Sequence, residues 1–192
     1  MPLCEIVGFT CTMKTFNIAY AMITHENTDT YEWVLRCLRC LLGGVLPSVI
    51  VTDRELGLIN ALPRVFPTVN HQLCWVHVER KCGEMALELG KDLEYQRRFT
   101  ADCWSLWSSR SVDSYDRRRR GMHARWAQLV PGLMAYLETT WLVPYALKIL
   151  FVHGRTRRCT SALGRQTGAH ILFLHRRLKR FLNMGYRSSI CA

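Results

Sequence analysis

The chain has 192 residues, about half of them apolar, so it holds enough material to bury the core of one sizeable domain and is not disordered throughout. Its net charge is +11, and no apolar run reaches the roughly 18 residues of a membrane span, so a polyanionic partner is expected and a membrane is not. The first residues, Met1-Pro2-Leu3-Cys4-Glu5, do not form a signal peptide. The nine cysteines therefore read as reduced thiols of the nucleus or cytosol.

The charge is uneven. No Asp or Glu follows Glu138, yet ten of the 26 Lys and Arg do, and the remaining 16 face all 15 acids. A near-neutral body with a cationic end suits a nucleic acid, or else a solvated basic tail.

In chain order, the short apolar run Leu3 to Thr10 and the β-rich run Thr15 to Thr24 read as the two strands of a hairpin, joined through Cys11 to Lys14. Thr28 or Asp29 is placed to cap a helix whose apolar face is Tyr31, Val34, Leu35, Leu38, Leu41 and Leu42, ended by Gly43-Gly44. Ser48 to Thr52 reads as a buried central strand ending on Asp53, and a helix follows from Arg54 until Pro63. Thr68 to Trp75 reads as another strand, and the chain turns helical from His77. Asp92 to Trp107 and Asp113 to Leu150 read as helical, the second divided at Pro131-Gly132 and Pro144. Trp104, Trp107, Trp126 and Trp141 are expected to anchor the helical core rather than stack on bases. Residues 151–168 read as loop, and Ala169 to Leu182 as an amphipathic helix with Ile171, Leu174, Leu178 and Leu182 on one side. His170 and His175 receive no catalytic role.

Asp53 stands out because a carboxylate at the C-terminal edge of a buried strand projects into the crevice where α/β sheets bind ligands. A helix N-cap would use the same residue type at the same place. Cys74-x-x-His77, with His71 and Cys82 nearby, offers four zinc donors on paper, but it straddles a strand-to-helix junction rather than forming two close pairs about a loop. Arg117 to Arg120 could follow a DNA backbone or line a solvated helix.

Two strands, a helix, then Val49-Ile50-Val51-Thr52-Asp53-Arg54-Glu55-Leu56-Gly57 and Leu73-Cys74-Trp75-Val76-His77 resemble the transposase domain of Mutator-like elements. The resemblance extends to Tyr136-Leu137-Glu138-Thr139-Thr140-Trp141 and to Gly168-Ala169-His170 and Leu178 to Leu182. It implies an α/β fold with a ribonuclease-H-like mixed sheet, incomplete because the first strand is missing, with an α-helical insertion and a C-terminal amphipathic helix. The implied organisation is an α/β part over 1–76, the insertion over 77–150, and a basic loop with the closing helix over 151–192. The implied chemistry is DNA cleavage and strand transfer by three carboxylates holding two Mg²⁺ ions. Asp53 matches the second acid and is the catalytic and metal-binding candidate. The first acid is expected upstream of Met1, and the third position falls on Thr167, preceded by Gln166. Glu138 would have to be recruited from elsewhere. The resemblance thus implies a nuclear DNA-binding protein of transposase descent, catalytically impaired, with an ancestral Mg²⁺ site. It places Cys74 and His77 near the implied crevice and makes Arg176, Arg177, Lys179 and Arg180 the expected DNA contacts, and homo-oligomerisation is left open. The alternatives are a domesticated regulator, since the domain also resembles the core of far-red-response transcription factors, or a gene fragment whose open strand edge invites aggregation.

Overall fold

The computed structural model describes residues 1–9, 15–109, 111–145, 148–149 and 171–175. They form a mixed α/β protein of two compact units, one containing the segment up to His71 together with Ile171–His175, the other beginning at Gln72.

In the first unit, strands β1 (Leu3–Phe9) and β2 (Thr15–Met22) pair antiparallel from Leu3 opposite Met22 to Phe9 opposite Thr15, the hairpin expected from the two runs. A register shift between Ile6 and Val7 marks a bulge. Helix α1 (Thr28–Leu41) is capped by Asn27, not by Thr28 or Asp29: the Asn27 side chain accepts from the Thr30 amide at 2.9 Å, and Asp29 lies in the first turn. Asn27 has the extended backbone that a cap requires, while Thr28 is already helical. Tyr31, Val34, Leu35 and Leu38 are buried, whereas Leu41 is exposed in the last turn before Gly43 and Gly44, whose φ values of 58° and 91° turn the chain.

Strand β3 (Val49–Thr52) is buried along its whole length. Helix α2 (Leu56–Val65) starts after Glu55 and runs through Pro63. The expected stop at Pro63 fails because the next turn is anchored. Val65 and Phe66 are buried, the Phe66 amide bonds the Leu62 carbonyl at 2.8 Å, and Arg39 donates to the Val65 carbonyl at 2.7 Å. Strand β4 (Asn70–Leu73) is shorter than expected because Trp75 already opens the next helix.

The largest departure is at the far end of the chain. Ile171–His175 is not helical but forms strand β5, and the sheet order is β2-β1-β5-β3-β4. β5 runs antiparallel to β1, with Glu5 opposite His175 and Gly8 opposite Leu172. It runs parallel to β3, with Val49 beside Ile171 and Thr52 beside Leu174. A short apolar run satisfies the helical and the strand pattern alike, and a place between two strands decides for the strand. The sheet is therefore not left with an open edge on β1. The rest of the expected helix, residues 169–170 and 176–182, lies outside the described residues, as does the loop 151–168.

Helices α1 and α2 pack on this sheet through Cys4, Ile6, Tyr31, Leu35, Ile50, Leu58, Leu62 and Phe66. At Gly57 of α2 the backbone that caps α1 comes close: an added Cβ would meet the Asn27 backbone carbonyl carbon at 2.8 Å.

The second unit is helical. α3 (Trp75–Gly90) ends on Lys91 with φ 51°, and α4 (Leu93–Trp107) is capped by Asp92, whose carboxylate accepts from the Glu94 amide at 2.8 Å. α5 (Val112–Leu129) opens with a capping box formed by Ser111 and Ser114. Beyond Pro131-Gly132 come α6 (Leu133–Leu137) and a π-helical turn at Glu138–Leu142, and residues 143–145 are helical across Pro144. Trp107, Trp126 and Trp141 are buried, as expected. Trp126 meets Phe99 edge-on at 5.2 Å and donates its indole N–H to Asp102 at 2.8 Å. Trp104 is the exception: it is 40% exposed and lies against Trp75 with ring centroids 4.7 Å apart. It directly follows Cys103 and so leaves α4 about 100° around the helix from the buried line of Phe99, Cys103 and Leu106.

Candidate functional site at the end of strand β3

Asp53 is the first residue beyond β3, at the C-terminal end of that strand. It is not the cap of α2. That position is held by Glu55, which makes no side-chain cap bond. The carboxylate is thus separated from the helix start by two residues, and the capping alternative is overturned.

The residue before it is the polar floor of the site. Thr52 is fully buried, and its Oγ1 donates to the Asp53 carbonyl at 2.7 Å while lying 2.8 Å from His71 Nε2 on β4. A hydroxyl has one proton, so if it serves Asp53, His71 must present a protonated Nε2. The pair locks the end of β3 to β4. Sequence reading missed it, because a Thr in an apolar strand and a His in the next one are paired only by the register.

The surroundings are anionic. Burial, and after it the Asp53 charge, pushes the Cys4 thiol up to about 11. Burial also pushes the Tyr31 phenol well up, helped by Glu55, Glu26, Cys4 and Asp53 in that order. Three carboxylates therefore share the neighbourhood of Tyr31. Among the described residues, however, no three His, Cys, Asp or Glu side chains come close enough together to hold a metal ion.

The other candidates fall elsewhere. Cys74 is buried immediately before α3, and its carbonyl accepts from the amides of His77 and Val78 at 3.1 and 3.2 Å, so the Cys-x-x-His spacing is the first turn of a helix. The four paper zinc donors are engaged differently: His71 is on Thr52, and Cys82 is buried beside Cys103, whose thiol is pushed up by burial and by its hydrogen bond with Cys82. Glu138 receives a two-pronged ion pair from Arg119, at 2.7 and 2.5 Å, which holds the Arg119 guanidinium above its ordinary range. Arg176, Arg177, Lys179 and Arg180 lie outside the described residues, as do Gln166 and Thr167.

Two Mg²⁺ ions need several anionic oxygen ligands. Asp53 supplies one carboxylate, Glu138 is already neutralised by Arg119, and the third position of the resemblance carries Thr167. The residues present do not fit a two-metal centre.

Residues 1–81 match the family model described as the MULE transposase domain. This part of the chain is similar to that family. The matched segment includes β1 to β4 and Asp53, and it stops within α3. The chain is also similar to two proteins of Arabidopsis thaliana. It is 24% identical to Protein FAR-RED IMPAIRED RESPONSE 1 over 62% of this chain and 14% of that protein. It is 23% identical to Protein FAR1-RELATED SEQUENCE 4 over 84% of this chain and 22% of that protein. A segment of 81 residues is 33% identical to the PKS-NRPS hybrid synthetase cheA of Chaetomium globosum, over 41% of this chain and 2% of the synthetase. The chain thus spans less than a quarter of each of these relatives. The MULE match agrees with the resemblance drawn from the Thr-Asp-Arg-Glu and Cys-x-x-His blocks, both of which lie inside it.

Proposed function

We propose that the chain is a transposase-derived DNA-binding protein of the MULE class that works in the nucleus and has lost metal-dependent DNA cleavage and strand transfer. The observation that carries this reading is the pairing of Glu138 with Arg119, because it engages the last acidic residue of the sequence in a bidentate ion pair. Asp53 keeps the position from which a MULE carboxylate would act, at the mouth of the sheet, but its neighbours shape a buried thiol and phenol rather than a ligand cage. The ribonuclease-H-like reading is supported by the mixed five-stranded sheet with α1 and α2 packed on it. DNA affinity is supported by the family and by the net charge of +11. Among the described residues no helix is long and apolar enough to cross a membrane.

A second reading, a domesticated regulator without enzymatic activity, is favoured by the similarity to a protein named for an impaired far-red response. It predicts the same DNA affinity and the same lack of cleavage. The test is duplex DNA incubated with purified protein and Mg²⁺ or Mn²⁺. Salt-sensitive retention without nicking is expected. Nicking that disappears in Asp53→Ala would show that Asp53 and the carboxylates near Tyr31 form an active centre and would overturn the loss of cleavage.

A further inference from the structure

Four consecutive arginines cannot share one face of a helix, because successive side chains leave it about 100° apart. In α5 the structure divides Arg117 to Arg120 by task. Arg118 reaches the Ser105 carbonyl at the end of α4 and the Ser109 hydroxyl at 3.2 Å. Arg119 holds Glu138, and six residues further along the helix Arg125 holds Asp102 at 2.7 Å. These three arginines tie α5 to its neighbours. Arg117 and Arg120 are exposed, and neither makes a hydrogen bond or ion pair among the described residues.

The helix geometry places these two on one side. Residues three apart are surface neighbours, and the same stripe continues through Gly121, Ala124 and Gln128, all exposed. It lies opposite the buried Met122 and Trp126. Beyond the two arginines the stripe is low and unencumbered. A Cβ built at Gly121 would meet nothing within 4 Å, so packing does not require glycine there. A glycine inside a helix nevertheless costs roughly 0.5–1 kcal/mol against alanine. What a bare position beside two unpaired arginines does permit is the close approach of a large partner. Asp113 and Asp116, one turn earlier, are the groups that would otherwise absorb the charge, and no ion pair to either forms among the described residues.

We propose that this outward stripe of α5, with Arg117 and Arg120 as its cations and Gly121 and Ala124 as its floor, is a contact surface for the phosphate backbone of duplex DNA. The proposal rests on the DNA-binding reading above and assigns a surface to it. Backbone contacts of this kind give affinity and register without sequence readout. Each phosphate neutralised releases counterions, so the two arginines together account for about 1.8 units of the slope of log affinity against log salt concentration.

The experiment is fluorescence anisotropy of a labelled mixed-sequence duplex, titrated with the full chain over a series of salt concentrations, beside thermal melts of every variant. Arg117→Gln with Arg120→Gln is expected to lower the salt slope by about 1.8 and to leave the melting temperature unchanged. Gly121→Leu, which fills the floor without touching a charge, is expected to weaken binding while the melting temperature holds or rises. Arg118→Gln, which breaks a bond to α4, is expected to lower the melting temperature. Wild-type binding with an unchanged slope in the double variant would overturn the surface and leave the DNA-binding reading standing. A lowered melting temperature in the double variant would show the two arginines to be structural, and overturn it as well. Wild-type protein that binds no duplex at any salt concentration would overturn both.

Discussion

Cys4 reports most directly on the surroundings of Asp53. Its thiol titrates near 11 in the folded chain against an ordinary value of 9.0, because burial and the Asp53 charge both disfavour the thiolate. The folded state therefore holds this proton more tightly than the unfolded state. The resulting stabilisation is fully present below pH 9 and is lost as pH rises through 11, and it amounts to about 3 kcal/mol. Urea melts at a series of pH values should show a decline over that window that is shallower in Cys4→Ala. The same burial governs reactivity. Alkylation of the native protein followed by mass spectrometry should label Cys37 and Cys40, which are exposed, well before Cys4, Cys74, Cys82 and Cys103, which are buried. Thr52→Val removes the hydroxyl that serves Asp53 and His71, and leaves the ring nitrogen facing an apolar group. A loss of about 1–2 kcal/mol is expected by chemical denaturation. Asp53 itself was legible in the sequence as a carboxylate at a strand end. The Thr52–His71 pair and the approach of Glu26 and Glu55 to Tyr31 were not, because they depend on which strand and which helix lie alongside.

At the scale of elements, the helices were legible from apolar periodicity and helix-forming composition, as in α1 and α4. The boundaries moved where backbone conformation overruled composition: Asn27 took the cap of α1, and Pro63 was absorbed into α2. At Gly57 of α2 the close neighbour is the backbone that caps α1. Gly57→Ala would gain helix propensity of about 1 kcal/mol but force the Asn27 carbonyl away, so a net destabilisation of roughly 1–3 kcal/mol is expected in the denaturation midpoint. Asn27→Ala removes the cap bond at the same junction and should cost about 1 kcal/mol. Arg119→Gln in the helical unit should cost only about 0.5–1 kcal/mol, since the arginine side chain is 44% exposed.

For the whole molecule, the decisive feature is that the sheet is completed by the last described segment of the chain. β5 bonds strands on both sides, so a proline there breaks a ladder that a terminal helix would not have shared. Phe173→Pro should abolish cooperative melting of the α/β unit by circular dichroism, while Phe173→Val, which keeps the amide, should retain it. A Pro variant that melts like the parent chain would place residues 171–175 outside the sheet.

The sequence alone determined the hairpin, the order of the helices up to Leu129, the charge asymmetry and the likeness of the first 81 residues to the MULE transposase domain. These are local or compositional properties: a β-rich run, a period of 3.6, a motif of fixed spacing. The tertiary structure alone decided that Ile171–His175 is a strand, that Glu138 belongs to Arg119, and that two of four neighbouring arginines face outward. Each of those depends on a partner distant in the chain, and a short apolar run or a lone charge carries no record of which partner it will meet.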